Sequence, residues 1–296
     1  MSLVVMTGAT AGLGAHAVRR LVQPGHEVVI GARGTNVTPP DGSRALPLDL
    51  ASLDSVRRFA DDVRSRAGTA GIDRLVLNAG VQFTDNGQRS VDGFEKAFAV
   101  NHLAHYLLAR LLLPEVAEGG GVVLTTSDTH DPKIVPVGPR TLDVQELAHP
   151  SKRVSGFRTY AASKLCNLLT ARSLSVLKEV QDRGITTIAY NPGLTGGTAL
   201  FRNQSRLRRT VGPAMMPLLS ALLGRSHPQF HLGTPERAGE ALADLALGAA
   251  APPPGHVYAS LVAGDLTFPE PSELARDDDA RDRLWRDSAA MVGLPA

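Results

Sequence analysis

Short apolar segments alternate along this chain with longer segments in which apolar residues recur every three to four positions. Seven of the short segments are apolar at their centres and have the length of buried strands. They are Leu3–Met6, Glu27–Ile30, Arg44–Leu48, Arg74–Leu77, Gly121–Thr126, Ile185–Tyr190 and His256–Ala259. Strands of this kind are typical of a parallel sheet that helices cover on both faces. The pattern therefore predicts an α/β protein with a doubly wound sheet of seven parallel strands.

The segments between the strands carry helical periodicity. Ser52 opens one helix, and the stretch from Phe94 to Leu113 has an apolar stripe that ends before Pro114. Two stretches, residues 128–159 and 200–233, interrupt the alternation. Loops this long in a compact domain are usually functional, so we expect both to border a site as lids. With no repeat or linker visible, residues 1–296 are expected to fold as one domain.

Charge and cysteine content exclude several classes of protein. The formal charge of +2 is nearly balanced and the arginines are dispersed, so we expect no nucleic-acid partner. The single cysteine, Cys166, cannot form an internal disulfide, which fits a reducing compartment. No apolar run approaches the roughly 18 residues of a membrane span, and no signal peptide precedes the first strand. We therefore expect a soluble, cytoplasmic protein.

A glycine-rich turn follows the first predicted strand directly. Gly8, Gly12 and Gly14 lie where that strand must turn sharply into a helix. Without side chains, glycines let backbone amides approach a pyrophosphate, and the N-terminus of the helix adds a favourable dipole. This context predicts a Rossmann-type dinucleotide site. The alternative is a tight turn that binds no ligand.

Arg33, which follows the second strand, indicates which dinucleotide is bound. An NAD site would carry an acidic residue there to hold the ribose 2′-hydroxyl, whereas a guanidinium suits a 2′-phosphate. We therefore expect NADP(H). The alternative is that Arg33 merely faces solvent.

Tyr160 and Lys164 are four residues apart and therefore share one face of a helix. The Lys164 ammonium can lie beside the Tyr160 hydroxyl, and we expect it to lower the phenol pKa from about 10 toward the range of a proton donor. Alone, this spacing is more often a solvated pair. Together with the glycine turn it predicts a nicotinamide-dependent oxidoreductase.

Several motifs in order resemble the short-chain dehydrogenase/reductase family over nearly the whole chain. They are Thr7–Gly14, Asp49-Leu50, Asn78-Ala79-Gly80, Asn101, Ser127, Tyr160-x-x-x-Lys164 and Asn191-Pro192-Gly193. Within the family the chain looks most like the branch of retinol dehydrogenases and light-dependent protochlorophyllide reductases. The segments that carry this likeness are Leu48–Arg57, Asp92–Glu95, Asn101–His105 and Ser163–Asn167.

The resemblance implies a catalytic tetrad of Asn101, Ser127, Tyr160 and Lys164. Ser127 would hold the substrate carbonyl, and Tyr160 would donate the proton. Lys164 would also hold the nicotinamide ribose, while Asn101 would help to position a water. The implied cofactor contacts are Thr7, Gly8, Gly12, Leu13, Gly14, Arg33, Asp49, Leu50, Asn78, Ala79, Gly80, Tyr160, Lys164, Pro192, Gly193, Thr195 and Thr198.

Two segments depart from the family pattern. The connection between Ser127 and Tyr160 is longer than in many members, as is typical of the branch named above. The segment after Pro192-Gly193 is richer in glycine than usual. Thr195 and Thr198 are both candidates for the cofactor contact there.

Three polar residues near these motifs have structural interpretations. Cys166 lies six residues after Tyr160, a helical rotation of roughly 240°, so we expect packing rather than proton donation. His102 and His105 have no matching ligand cluster, so we expect no metal. In the resembled family this helix often packs across a dimer axis, which suggests a homo-oligomer, either a dimer or a tetramer.

Residues 200–223 contain enough apolar side chains to cover a bulky substrate, although they could equally pack the lid onto the domain. The arginines among them could bind an anion or lie on a solvated face. We hypothesise a bulky hydrophobic ketone or aldehyde, such as a secondary metabolite, as substrate. Two alternatives are a light-driven protochlorophyllide-type reductase and a regulatory protein that senses NADP(H) without catalysis.

Overall fold

One eight-stranded sheet organises the computed structural model, which describes residues 2–23, 25–34, 37–196, 220–222, 224 and 227–296. The strands are β1 (Leu3–Thr7), β2 (Glu27–Ala32), β3 (Ser43–Pro47), β4 (Ile72–Leu77), β5 (Val116–Thr125), β6 (Thr186–Asn191), β7 (Tyr258–Val262) and β8 (Asp265–Thr267). Their order is β3-β2-β1-β4-β5-β6-β7-β8, and the first seven are parallel. The predicted doubly wound, Rossmann-type sheet of seven parallel strands is confirmed, with one strand added.

The additional strand, β8, pairs antiparallel to β7. Ala263 and Gly264 join the two strands, and both have positive φ angles, of 51° and 93°. Two consecutive positive φ angles are typical of a type I′ hairpin turn, for which Asn-Gly and Asp-Gly are the usual signals. An Ala-Gly pair followed by a three-residue strand gives little of that signal, so the sequence pattern did not reveal β8.

Helices cover both faces of the sheet. In the described ranges they are α1 (Gly12–Val22), α2 (Leu53–Ala67), α3 (Lys96–Phe98), α4 (Ala104–Leu112), α5 (Val144–Ala148), α6 (Gly156–Ser175), α7 (Lys178–Asp182), α8 (Pro235–Leu247), α9 (Glu273–Arg276) and α10 (Asp278–Met291). Alternate strand residues point to opposite faces, so Val5 enters the core under α2, α4 and α6 while Val4 enters the core under α1 and α8. Two buried faces explain why most of the strands are apolar at their centres.

The predicted helix from Phe94 to Leu113 is interrupted. A π-helical turn, Ala99–Leu103, separates α3 from α4, and a 3₁₀ turn at Leu113–Glu115 ends the segment around Pro114. π-Helical turns occur frequently at functional sites because they re-aim side chains and carbonyls. Here the turn contains Asn101, which the sequence had singled out.

The prediction that residues 128–159 and 200–233 are lids has a different outcome for each stretch. Residues 128–159 start with a 3₁₀ turn, Asp128–His130, and include α5, whose Val144 and Ala148 are buried in the main core. This stretch is therefore partly core and not simply a lid. Most of residues 200–233 lies outside the described residues. Within the described part of the chain, no helix is both long and apolar enough to cross a membrane.

The C-terminal helix α10 covers the outer face of α4. The Tyr106 hydroxyl donates to the Trp285 carbonyl at 3.0 Å, and Arg110 donates to the Pro295 carbonyl at 2.8 Å. The His102 ring bonds the Ser288 hydroxyl at 2.8 Å. An oligomer built through this helix would have to displace α10 first. The homo-oligomer stays a prediction, and we now expect it to use another surface.

Replacing Trp285 with alanine is expected to lower the free energy of unfolding by about 2 kcal/mol, because a partly buried aromatic anchor is lost. The ring of Trp285 lies edge-on to Tyr106 at 5.0 Å and under the Arg110 guanidinium at 4.7 Å. Urea unfolding followed by circular dichroism measures the effect, with the exposed Arg286→Ala as control. Equal midpoints for wild type and Trp285→Ala would show that α10 does not anchor here.

Candidate active site

A cavity of about 800 Å³ opens at the carboxyl ends of the parallel strands. It spans the point where the strand order reverses between β1 and β4, which is where open α/β sheets bind ligands. Most of the residues singled out from the sequence line this cavity: Gly8, Gly12, Leu13, Gly14, Arg33, Asp49, Leu50, Asn78, Ala79, Gly80, Ser127, Tyr160, Lys164, Pro192, Gly193 and Thr195. The structure thus gathers residues from distant motifs around one space.

The glycine turn requires its glycines for steric reasons. Gly8 and Gly12 have φ angles of 68° and 55°, in the left-handed region that other residues rarely adopt. A Cβ atom at Gly14 would lie 1.9 Å from the Gly8 carbonyl oxygen. The turn therefore presents bare backbone to the cavity, as a phosphate cradle does.

Thr7 lies behind this turn and does not line the cavity. Its buried hydroxyl accepts hydrogen bonds from the backbone amides of Asn78 and Ala79, at 3.0 and 3.1 Å, and bonds the His105 Nε2 atom at 2.9 Å. Thr7 thus fixes the end of β4 against the end of β1. The cofactor contact of Thr7 stays a prediction beside this supporting role.

The two histidines are neutral structural residues. His105 Nδ1 bonds the Asn101 carbonyl oxygen at 2.9 Å, and because that oxygen only accepts, Nδ1 carries the proton. Burial lowers the pKa of His105 to about 4 and that of His102 to about 3. No cluster of three or more metal-ligating side chains occurs among the described residues. His105 instead connects Asn101 to Thr7.

A second chain of hydrogen bonds links the glycine turn to Lys164. The Asn78 side chain donates to the Gly8 carbonyl and accepts from the Thr125 hydroxyl, both at 3.0 Å. The Thr125 carbonyl in turn accepts from Lys164 Nζ and from the Asn167 amide, each at 3.0 Å. This network sets the position of Lys164 relative to the dinucleotide turn.

Tyr160 lies beside Ser127 and Lys164 in the cavity wall and is 8% exposed. Burial raises the pKa of Tyr160 to about 12, and a hydrogen bond with the Ser127 hydroxyl opposes the rise. The expectation that Lys164 lowers this pKa is wrong for this arrangement, in which Nζ lies 5.7 Å from the ring centroid and donates to Thr125. The phenol is therefore protonated at neutral pH.

Burial also acts on the lysine. Lys164 is 2% exposed, and loss of hydration lowers its pKa to about 8. Protonated and neutral lysine thus both become accessible near physiological pH. A buried lysine with a lowered pKa is typical of functional sites, and burial of its charged form lowers the stability of the fold.

Asn101 is fully buried and does not line the cavity. Its side-chain oxygen accepts from the Val81 amide at 2.8 Å, and its nitrogen donates to the Val81 carbonyl at 2.9 Å and to the Ser163 hydroxyl at 3.0 Å. These bonds clamp the loop after β4 to the helix that carries Tyr160. The structure thus gives Asn101 a bracing position.

Two further parts of the cavity wall follow β2 and β6. Arg33 lines one end and forms no ion pair with any carboxylate in the described residues. At the other side, Gly193 has a φ angle of 68°, and the Thr195 hydroxyl donates to the Pro192 carbonyl at 2.9 Å. Thr198, the alternative to Thr195, lies outside the described residues.

Ser127 is supported from behind by its neighbours. Its carbonyl accepts from His130 Nδ1 at 2.7 Å, and Ser272 of the C-terminal segment donates its amide to His130 Nε2 at 3.3 Å. The Tyr258 hydroxyl donates to Asp128 at 3.0 Å, while burial raises the pKa of that carboxyl. These contacts hold the start of the 128–159 stretch in place.

Sequence reasoning missed part of the wall. The missed cavity residues include Gln82, Phe83, Lys96, Val100, Ile134, Val135, Phe157 and Phe230. Gln82 and Phe83 lie two and three residues after Gly80 of the Asn78-Ala79-Gly80 motif, and that proximity was a usable signal. Lys96 and Val100 are spaced i and i+4 on the approach to Asn101, which a helical projection could have revealed.

Cys166 lies on the far side of α6 from the cavity. It is fully buried in the main hydrophobic core, and burial raises the pKa of its thiol. It does not line the cavity. A packing role accounts for it, as expected from the helical rotation.

Comparison with known proteins identifies a matching family model and several relatives of this chain. The family model described as short chain dehydrogenase matches residues 2–135. Mouse polyprenol dehydrogenase is 34% identical, with 98% of this chain and 84% of that protein covered. Protochlorophyllide reductase A of Arabidopsis thaliana is 29% identical, with 98% and 76% covered.

A solved structure shares the fold over the full length. It is an uncharacterised protein from Mycobacterium paratuberculosis, with a TM-score of 0.71 and 27% identity, covering 100% of this chain and 96% of that one. The fold, the motifs in order and these relatives agree. The chain belongs to the short-chain dehydrogenase/reductase family, in the branch that holds retinol dehydrogenases and protochlorophyllide reductases.

Proposed function

We propose that this protein is an NADP(H)-dependent oxidoreductase that interconverts a ketone or aldehyde and an alcohol on a bulky hydrophobic substrate. The observation that carries the proposal is that Tyr160, Ser127 and Lys164 line the same cavity as the glycine turn and Arg33. A proton donor and a dinucleotide cradle in one space are what carbonyl reduction needs.

Each polar residue of the wall has a role in the proposal. In the direction of reduction, Ser127 donates a hydrogen bond to the substrate carbonyl and holds it beside Tyr160. Tyr160, which is protonated at neutral pH, then transfers its proton to the carbonyl oxygen. Lys164, tied by one donor to Thr125, has two further donors for ribose hydroxyls. Asn101 acts indirectly, by bracing the loop after β4.

The residues present fit NADP(H). The backbone of Gly8, Gly12 and Gly14 would hold the pyrophosphate, since a side chain at Gly14 would collide with Gly8. Arg33 would hold the 2′-phosphate, and Asp49 and Leu50 would border the adenine. When bound, the cofactor supplies or accepts the hydride.

The rest of the wall supports an apolar substrate. Phe83, Phe157, Ile134, Val135 and Phe230 line the cavity. Phe157 also stacks on Tyr160, with ring centroids 6.3 Å apart and planes inclined by 14°. Aromatic and aliphatic side chains of this kind in a cavity wall are typical of sites for hydrophobic ligands.

The test is NADPH oxidation at 340 nm with a panel of hydrophobic ketones, aldehydes and quinones, with small polar carbonyls alongside. The proposal expects turnover of the bulky members. Turnover restricted to the small polar carbonyls would contradict the hydrophobic substrate class. Tight NADPH binding without any turnover would favour a non-catalytic, NADP(H)-sensing regulatory protein.

Arg33→Ala is expected to raise the KM for NADPH by about 10–100-fold, because a charge-assisted contact with the 2′-phosphate is lost. The KM for NADH should change little. Steady-state kinetics with NADPH and with NADH measure the two KM values, and the exposed Arg283→Ala is the control. A wild-type preference for NADH would overturn the assignment of NADP(H).

A second candidate is a light-dependent, protochlorophyllide-type reductase. It is favoured by the likeness to the Arabidopsis thaliana protein over 98% of this chain. Cys166 is buried away from the cavity, so this candidate would need Tyr160 as its proton donor. Loss of absorbance from bound protochlorophyllide on illumination would support it, and failure to bind the pigment would reject it.

A further inference from the structure

Lys96 is a charged side chain in the apolar part of the cavity. It is the first residue of α3, lines the cavity and is partly buried. No described carboxylate lies within 4.0 Å of its ammonium group. The residues outside the described ranges include no Asp or Glu. The positive charge of Lys96 therefore lacks a counter-ion from the chain around it.

The contacts of Lys96 place it on the Tyr160 side of the cavity. Its Nζ lies 5.8 Å from the centroid of the Phe83 ring, and the Phe83 backbone packs against the start of α6, where a Cβ at Gly156 would lie 2.1 Å from the Phe83 oxygen. The next residue, Phe157, stacks on Tyr160. Lys96 thus belongs to the substrate wall, whereas Arg33 belongs to the glycine-turn end.

Gln82 provides an independent sign of a ligand. It is only 5% exposed and lines the same cavity, one residue before Phe83. Its carboxamide forms no hydrogen bond with a group of the described residues, and its amide atoms stay open to the cavity. An amide without a hydrogen-bond partner and an ammonium without a counter-ion in one wall are suited to an acceptor that arrives with the substrate.

The other charged groups of the cavity either have partners in the chain or lie at its glycine-turn end. Lys164 donates to the Thr125 carbonyl, and Asp128 accepts from the Tyr258 hydroxyl. Arg33 and Asp49 lie at the end of β2 and just after β3, at the glycine-turn side. A single ammonium with a neighbouring amide suits a carboxylate better than a phosphate, which usually recruits several cations.

We infer that Lys96 and Gln82 form a subsite for a carboxylate on the substrate, so that the preferred substrate is a hydrophobic carbonyl or alcohol that also carries an acidic group. This inference rests on the proposed function and narrows its substrate class. The carboxylate is bound and undergoes no reaction. Lys96 determines substrate specificity through its positive charge. Gln82 contributes to the same specificity through its amide donor.

The experiment compares 4-benzoylbenzoate with its methyl ester, which differ in the charge of one group. Isothermal titration calorimetry on the protein saturated with NADP⁺ measures both affinities. Wild type is expected to bind the acid at least about 10-fold more tightly than the ester, and Lys96→Met is expected to remove this preference. Lys96→Arg should retain most of it, and Gln82→Leu should weaken acid binding by a smaller factor, about 3–10-fold.

The control is Lys133→Met, which removes an exposed lysine that pairs with Glu273 outside the cavity. It should leave the preference for the acid intact. Equal affinity for acid and ester in wild type would overturn the inference. So would a preference that persists in Lys96→Met, or an absence of acid binding in wild type.

Turnover of the two probes separates this inference from the proposed function. If both compounds are reduced, Lys96→Met should raise the KM for the acid about 10-fold and leave kcat within about 3-fold. If neither is reduced, the proposed reaction loses support. In that case the ratio of the affinities for the acid and the ester still tests whether the carboxylate subsite exists.

Discussion

Tyr160→Phe is expected to lower kcat by about 10³-fold or more, because the proton donor is removed while the ring remains. The variant keeps the stacking on Phe157 and the contact of the ring face with Lys164. The dissociation constant for NADPH should therefore stay within about 3-fold of wild type. Steady-state kinetics and fluorescence titration of NADPH measure the two effects separately.

The control for Tyr160→Phe is Tyr106→Phe. Its hydroxyl bonds the Trp285 carbonyl, and it does not line the cavity, so a small loss of stability without loss of turnover is expected. Retained activity in Tyr160→Phe would show that another group donates the proton. Loss of NADPH binding in the same variant would show instead that the substitution disturbs the cofactor site.

Lys164→Met is expected to abolish turnover and, at pH 7, to raise the free energy of unfolding by about 1–3 kcal/mol. Burial lowers the pKa of Lys164 from 10.5 to about 8, and each pKa unit corresponds to about 1.4 kcal/mol of unfavourable burial of the charged form. The loss of the bond to Thr125 offsets part of the gain, although the Asn167 amide still satisfies that carbonyl. Stability sacrificed at an active site is a common trade-off.

The difference in stability between wild type and Lys164→Met depends on pH. Below pH 8 the lysine is charged in both the folded and the unfolded state, so the unfavourable burial acts in full. As the pH rises from 8 to 10.5, the folded protein releases the proton first and the difference between wild type and variant shrinks.

Urea unfolding at pH 7 and pH 10 measures this difference, with the exposed Lys133→Met as control. A variant less stable than wild type at pH 7 would contradict this account of Lys164.

The sheet was predictable because both of its faces are buried. Val4 and Val5 enter different cores, so β1 is apolar from Leu3 to Met6 and stands out from the amphipathic helices. The glycine turn and the Tyr160–Lys164 pair were predictable because each depends on local spacing. β8 was not predicted because its turn has Ala263 at a positive φ angle instead of the Asn or Asp that usually signals such a turn.

The supporting network was not predictable from local spacing. Thr7 and His105 are 98 residues apart in sequence, and their hydrogen bond exists only because the end of β1 meets the crossover helix. The pKa of Tyr160 depends on how deeply the fold buries the phenol, which spacing alone does not reveal. The only signal for Lys96 was its i, i+4 spacing from Val100, and a single lysine on a helix is usually solvated.

The most direct test of the proposed chemistry is deuteride transfer. NADPH deuterated on the transferred face of C4 is incubated with a hydrophobic ketone that the protein reduces, and mass spectrometry of the alcohol records isotope content. The account predicts an alcohol heavier by one mass unit with wild type and no alcohol with Tyr160→Phe. An alcohol without deuterium from either C4 face, or tight NADPH binding with no alcohol from any carbonyl, would contradict it.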